Sequence, residues 1–165
     1  MTSVVRVDDV APQPWVNGGG TTRELARAAD GSWRISLADI DTDGPFSAFA
    51  GRRRLLTVVE GPVLGLAVDG ETHVVEPQRP FAFSGDAVVV ATVAEGPVRV
   101  LNVVVDPALV TPHVTVLELG RTSVLPLAGD QAAYVLSGSG ARSLVSGPGE
   151  VAGRCTIAVV TLERA

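Results

Sequence analysis

The feature that most constrains this chain is its punctuation. Apolar, valine-rich runs of four to eight residues are cut at short intervals by glycine and proline. Strand-like runs are predicted at Ser3 to Val7, Thr22 to Ala28, Trp33 to Ile40, Arg54 to Val59, Val63 to Val68 and Thr72 to Val75. Phe81 to Phe83, Ala87 to Val93 and Val98 to Val105 continue the series. Beyond Asp106-Pro107 it resumes with Val114 to Leu119, Ser123 to Leu127, Ala132 to Leu136, Ala141 to Val145 and Cys155 to Leu162. Glu60-Gly61-Pro62, Asp69-Gly70, Ser84-Gly85-Asp86 and Glu95-Gly96-Pro97 are turn sequences, and Asp-Gly between apolar arms is a hairpin signal. No amphipathic stretch reaches the length of a helix. Short strands at regular spacing with Gly/Pro turns argue an all-β sandwich or barrel. A weak echo links Leu56-Thr-Val-Val-Glu-Gly61 to Ala133-Tyr-Val-Leu-Ser-Gly138, which is what two related β halves would show.

Composition removes several function classes. Hydrophobic residues make up 46% and charged residues 19% of 165 residues, the balance of a folded chain. The net charge is −5, and the one basic cluster, Arg52-Arg53-Arg54, has no interleaved stacking aromatics, which argues against nucleic acid. No apolar run has the length of a membrane span and no signal peptide is visible, so a soluble cytoplasmic protein is expected. Cys155 is the one cysteine, which excludes an internal disulfide, and its apolar surroundings suit a buried small hydrophobe. The two histidines, His73 and His113, lie forty positions apart without a second histidine at i+2 or i+4. They read as surface residues, and no metal or cofactor is expected. There is no G-x-S-x-G, and the glycines lack the spacing of a phosphate loop or a dinucleotide fingerprint.

The densest chemistry lies in Pro14-Trp15-Val16-Asn17-Gly18-Gly19-Gly20-Thr21-Thr22-Arg23-Glu24. Asn17, Thr21, Thr22, Arg23 and Glu24 join Arg34, Ser36, Asp39, Ser47 and Asn102 as polar interruptions of an aliphatic chain. Asn102 sits inside Val98-Arg-Val-Leu-Asn-Val-Val-Val105, where a buried amide needs partners. Two readings stand for it: a pocket residue, or one that faces solvent or pins a loop. Arg34 likewise suits a bidentate pair with a ligand carboxylate or an ion pair with Glu24 or Asp39.

These residues resemble the HutD/Ves family of the cupin superfamily. The match is carried by Pro14-Trp15, Asn17 to Gly20, Thr22-Arg23-Glu24, Trp33-Arg34-Ile35-Ser36 and Asp43-Gly44-Pro45-Phe46-Ser47 with Phe49, Gly51 and Arg54. Glu60-Gly61, Phe81-Ala82-Phe83 with Gly85, and Gly96-Pro97 with Asn102-Val103 complete it, so that it covers roughly 12 to 105. The resemblance implies a bicupin: two small cupin-like β-barrels (double-stranded β-helices) in one compact unit, with approximate halves at 1–106 and 107–165. It also implies an accessory or regulatory role in histidine utilisation, without an established catalytic activity. The cupin metal motif is absent. Val16, Val100 and Asp106 depart from the family's commoner Lys, acidic and basic residues, which bears on ligand charge preference.

The resulting expectation is a small carboxylate ligand in a metal-free pocket. Arg34 or Arg23 would pair with the acid, Asn17 and Asn102 would orient it, and Thr21, Glu24, Ser36 and Ser47 would complete the wall. Two rivals remain: a metal-independent isomerase or hydrolase using Glu24 or Asp39 as base, and a protein-interaction module. Exposed edge strands are also compatible with a homodimer.

Overall fold

A computed structural model describes residues 3–165. In chain order its strands are β1 (Ser3–Arg6), β2 (Gln13–Pro14), β3 (Gly20–Arg27), β4 (Trp33–Ile40), β5 (Gly44–Pro45), β6 (Arg53–Glu60), β7 (Leu64–Val68), β8 (Glu71–Val75) and β9 (Phe81–Ser84). They continue as β10 (Val89–Thr92), β11 (Val98–Val105), β12 (Val110–Leu119), β13 (Val124–Leu127), β14 (Gln131–Gly138), β15 (Ser143–Ser146), β16 (Gly149–Ala152) and β17 (Cys155–Arg164). Among the described residues the only helical turn is a 3-10 segment at Val7–Asp9. The all-β expectation therefore holds. Among the described residues no helix is long and apolar enough to cross a membrane.

The chain forms two compact units. Pro12–Val110 makes one; Thr111–Ala165 makes the other, together with the segment that ends at Ala11. The boundary after Val110 lies near the expected division at 106, while the segment that ends at Ala11 groups with the C-terminal residues. Val4 of β1 pairs with Val145 of β15 and Val5 with Leu144, so the first strand completes the C-terminal sheet. Such a swap of a terminal strand leaves no mark on local sequence pattern.

In the unit Pro12–Val110, a six-stranded sheet of order β2-β3-β4-β11-β6-β9 faces a four-stranded sheet of order β5-β10-β7-β8. Leu56, Val58 and Val100 of the first sheet meet Leu64, Leu66, Val89 and Ala91 of the second in one core. Both faces of β4 and β11 are buried (Ile35, Leu37, Leu101 and Val103 on one side, Ala38, Ile40 and Val100 on the other). This explains their near-continuous apolar sequences. The other unit has a five-stranded sheet, β1-β15-β14-β17-β12, and the ribbon β13-β16. Its core gathers Leu127, Ala133, Val135, Val151, Cys155, Ile157 and Val159. Burial pushes the Cys155 thiol pKa up, in keeping with a small hydrophobe.

Two details depart from the sequence pattern. The run Ala87 to Val93 yields only the four residues of β10, because turn and side-chain acceptors take the flanking amides. Ala87 N–H donates to Ser84 O, Val88 N–H to the Asp69 carboxylate and Val93 N–H to that of Asp43. Strand β16 was not legible, since Gly149-Glu-Val-Ala152 is short and follows a glycine-proline turn.

The weak sequence echo has a structural counterpart. Register slips by one residue at Val59 in β6 against β11, and at Leu136 in β14 against β17. Each bulge lies two residues before a glycine with positive φ, Gly61 at 94° and Gly138 at 88°. A Cβ on Gly61 would lie 2.5 Å from Pro97 O, and one on Gly138 2.4 Å from Arg154 O. Only glycine fits either site, for both conformation and space.

Candidate functional site: an arginine-lined cleft

Strand alternation builds the site. On the inner face of the six-stranded sheet, residues i and i+2 point the same way, about 6.6 Å apart. The register places Arg34, Val104 and Arg54 in one row across β4, β11 and β6. The next row is Ser36, Asn102 and Leu56, and the third is Ala38, Val100 and Val58. Thr22 stands beside Ala38, and Phe83 stands beside Arg54. Phe46, Ser47 and Phe49, from the connection between β5 and β6, close one side, and Trp15 closes another. The cleft so formed holds about 130 Å³.

The Trp15 wall explains the glycine run. Trp15 N–H donates to Gly20 O, its indole Nε1 donates to Thr22 Oγ1 at 2.8 Å, and its ring meets Phe46 edge-on at 5.9 Å. A Cβ on Gly20 would sit 3.2 Å from the indole and 2.3 Å from Asp39 O. The glycine lets the ring lie against the sheet backbone.

Arg54 dominates the electrostatics. Its residue is 6% exposed. One guanidinium nitrogen, Nη1, donates to Ser47 O at 3.0 Å, and Nε has no hydrogen-bond partner. The guanidinium carbon lies 4.8 Å from the ring centres of Phe49 and Phe83 and 5.3 Å from that of Phe46. Burial, and secondarily the charge of Arg34, lower its pKa to about 10. It stays charged at neutral pH. Arg34 approaches the same wall, its guanidinium carbon 5.0 Å from the centre of the Phe49 ring. Asn102 is 8% exposed, and its Oδ1 has no hydrogen-bond partner. A buried polar atom left unmatched costs about 1–3 kcal/mol. Cation–π contacts offset part of the cost of burying Arg54 but supply no counter-charge. Two positive groups, an amide and the hydroxyls of Thr22, Ser36 and Ser47 therefore surround an apolar floor. None of the lining residues is Asp, Glu, His or Cys. The cleft can hold and orient an anion; it has no acid–base pair at neutral pH.

Of the residues singled out from sequence, Arg34, Ser36, Ser47 and Asn102 come together here. The others are placed elsewhere. Asn17 is exposed; its Oδ1 accepts Gly19 N–H at 2.9 Å and its Nδ2 donates to Pro45 O at 3.2 Å, so it ties the glycine loop to β5. Thr21 and Arg23 fall on the opposite face by alternation, and Thr22 takes the inward position. Arg23 Nη1 holds the Asp39 carboxylate at 3.1 Å, and Arg99 grips the same carboxylate at 2.8 and 3.1 Å. Neither Arg23 nor Asp39 lines the cleft. Glu24 lies outside it, bound to Arg27 at 2.7 Å and 3.8 Å from Arg34 Nε. The histidines make peripheral contacts: His73 stacks at 4.9 Å on Phe81, and His113 lies 3.5 Å from Glu163. Among the described residues no three His, Cys, Asp or Glu side chains converge in a way that could hold a metal.

Sequence reasoning missed Arg54 as a site residue, weighing it only as part of the basic triplet Arg52-Arg53-Arg54. Its signal was period two: Arg54, Leu56 and Val58 share a face, and two of the three are apolar. Trp15, Phe46 and Phe49 carried no local sign that they belong to one wall.

The HutD family model matches residues 7–160. An uncharacterized 21.2 kDa protein in the hutC 3′ region of Pseudomonas putida is 40% identical over 63% of this chain and 58% of that protein. Protein Ves of Citrobacter koseri is 42% identical over 50% of this chain and 46% of that protein. The chain thus spans about half the length of these curated relatives. A solved structure of HutD from Pseudomonas fluorescens SBW25 superposes with a TM-score of 0.75 at 32% identity, covering 99% of this chain and 100% of that one. A conserved protein of unknown function from Pseudomonas aeruginosa PAO1 gives a TM-score of 0.79 at 27% identity over the whole of both chains. The chain belongs to the HutD family.

Proposed function

We propose that this protein binds a small carboxylate metabolite in the cleft of its Pro12–Val110 unit, without a metal, as an accessory or regulatory component of histidine utilisation. The observation that carries the reading is Arg54: a buried guanidinium with an unpartnered Nε, no carboxylate beside it and a second arginine across one aromatic ring. A carboxylate supplies the counter-charge and accepts from both guanidinium groups, each such charge-assisted bond contributing about 1.5–3 kcal/mol. A donor on the ligand would serve the Asn102 oxygen. The hutC-region location of one relative makes intermediates of histidine breakdown the first ligands to test. For the fold, we read the two units as the two halves of a bicupin, supported by the repeated bulge and positive-φ glycine. The enzymatic alternative through Glu24 or Asp39 has less support, because neither carboxylate stands on the cleft wall.

The test is a thermal-shift panel of urocanate, formiminoglutamate and formylglutamate on the wild type and on Arg54→Met. A ligand at 100 times its Kd adds about 2.7 kcal/mol of stability. The expected result is a shift with at least one acid in the wild type and none in the variant. Absence of any shift at tens of millimolar would overturn the small-acid reading.

A further inference from the structure

Beside the cleft described above, and sharing Arg34 and Phe49 with it, lies a second one of about 200 Å³ lined by Arg27, Trp33, Arg34, Phe49 and Arg52. Three guanidinium groups converge on it. Glu24 is the carboxylate that contacts them, gripping Arg27 through Nε and Nη2 and lying 3.8 Å from Arg34 Nε. Arg52 Nη1 donates to Gly31 O at 3.1 Å, and Arg52 has no carboxylate partner among the described residues. Three positive charges against one negative leave a local excess of two. The Arg34 guanidinium makes no hydrogen bond among the described residues, and Arg27 and Arg52 each keep guanidinium donors beyond those bound to Glu24 and Gly31. Val104 and Phe49 line this cleft as well as the inner one.

We propose that this outer cleft is a second anion site that takes a phosphoryl group, free or as a phosphomonoester. A phosphoryl group carries a charge near −2 and several acceptor oxygens, which suits two uncompensated guanidinium charges and donors arriving from three directions. A carboxylate matches only one of those charges. The Phe49 ring and Arg34 border both clefts. Arg27 and Arg52 belong to the outer one alone, so its occupancy can be tested separately from the small-acid reading of the inner cleft.

The test is calorimetric titration of the whole chain at low salt with inorganic phosphate and with phenyl phosphate. The proteins are the wild type, Arg52→Gln, Arg27→Gln and Asn102→Val, each checked for folding by its melting curve. We expect one equivalent of phosphate on the wild type, binding at least tenfold weaker in Arg52→Gln, and affinity within twofold of wild type in Asn102→Val. Equal affinities for the two probes assign the site to free phosphate; tighter phenyl phosphate assigns it to a phosphomonoester. Should Arg52→Gln fail to fold, the exposed Arg27→Gln carries the same expectation. Phosphate binding that survives both arginine variants, or that the wild type lacks at tens of millimolar, overturns the proposal. Loss in Asn102→Val with retention in Arg52→Gln would place phosphate in the inner cleft, overturning the outer site and leaving the small-acid reading intact.

Discussion

The two units answer the same structural problem with opposite interiors. Gly61 abuts Val98 Cα and Gly138 abuts Cys155 Cα, at 3.1 and 2.8 Å from an added Cβ. Counted from these contacts, Val98, Val100 and Asn102 of β11 correspond to Cys155, Ile157 and Val159 of β17. On the neighbouring strand, Arg54 of β6 corresponds to Gln131 of β14. The pairing agrees, since Arg54 faces Val104 and Gln131 faces Thr161. Gln131 is satisfied within its own unit: Nε2 donates to Thr161 Oγ1 at 3.1 Å and Oε1 accepts Ala128 N–H at 2.9 Å. Arg54 and Asn102 are left with unmatched atoms. At these aligned positions one unit matches its polar group and the other leaves its own unmatched at a cost to stability. That difference supports placing the proposed site in the Pro12–Val110 unit, and it can be tested by making each unit resemble the other.

The largest expected effect is from Arg54→Met. Removing the buried charge should weaken acid binding by two decades or more, from loss of one or two charge-assisted bonds of about 1.5–3 kcal/mol each. Stability should hold or rise, by about 1–3 kcal/mol, because replacing an incompletely compensated buried ion with an apolar chain is often stabilising. The pH dependence has a definite sign. The folded state releases the Arg54 proton at about 10, well below the unfolded state, so burial of this charge costs stability at neutral pH. That cost lessens as pH rises above about 10. Acid affinity should stay level from pH 6 to 9 and decline above about 10. A variant that melts well below wild type would mean that the aromatic contacts and Ser47 outweigh the burial cost, and the contrast between the units would fail at its centre.

Next in size is a matched pair, Gly61→Ala and Gly138→Ala. Each forces a side chain into positive φ and against a carbonyl oxygen. Each should lose about 2–4 kcal/mol, from backbone strain of about 1–2 kcal/mol plus steric displacement. Chemical denaturation of both variants sharpens the comparison: equal losses support equivalent bulges, whereas a tolerated alanine in one unit would break the correspondence from which Asn102 and Val159 were aligned.

Much of this contrast was written in local pattern. Strand-and-glycine punctuation made the all-β class legible, and an amide in the middle of β11 drew attention to Asn102. Arg34 and Ser36 were legible for the same reason, as polar residues on one side of an alternating strand. Arg23 and Thr21 were misplaced because β3 carries polar residues on both faces, so period alone does not say which face is inward. The register against β4 decides it, and register is a property of two strands. Arg54 was hidden by its neighbours Arg52 and Arg53. Its burial depends on Phe46, Phe49 and Phe83, brought together from β9 and the connection after β5. The strand exchange by β1 likewise has no local signature.

Gln131→Leu should have a smaller effect, confined to the other unit. It leaves Ala128 N–H and Thr161 Oγ1 without their partner, at a cost of about 1–2 kcal/mol. Acid binding should be unchanged. A loss of acid affinity at constant folding would show that the C-terminal unit contributes to the site.

The smallest and most discriminating change is Asn102→Val, which gives β11 the residue that β17 has at Val159. Its two expected effects have opposite signs. Removing an unmatched buried oxygen should raise stability by about 1 kcal/mol, since the unsatisfied amide costs more than the small loss of packing. Removing an orienting group beside Ser36 should weaken acid binding by about tenfold, the worth of one neutral hydrogen bond of about 1 kcal/mol or slightly more. Melting and titration of one variant therefore read the same atom twice. If stability falls along with affinity, the Asn102 amide is bonded in the unliganded protein and braces the sheet, so its role would be structural. If stability rises and affinity is unaffected, the ligand sits nearer the arginine row and does not reach the second row of the cleft. Only a gain in stability with a loss of affinity identifies Asn102 as a group held unmatched in the apo fold because a ligand completes it.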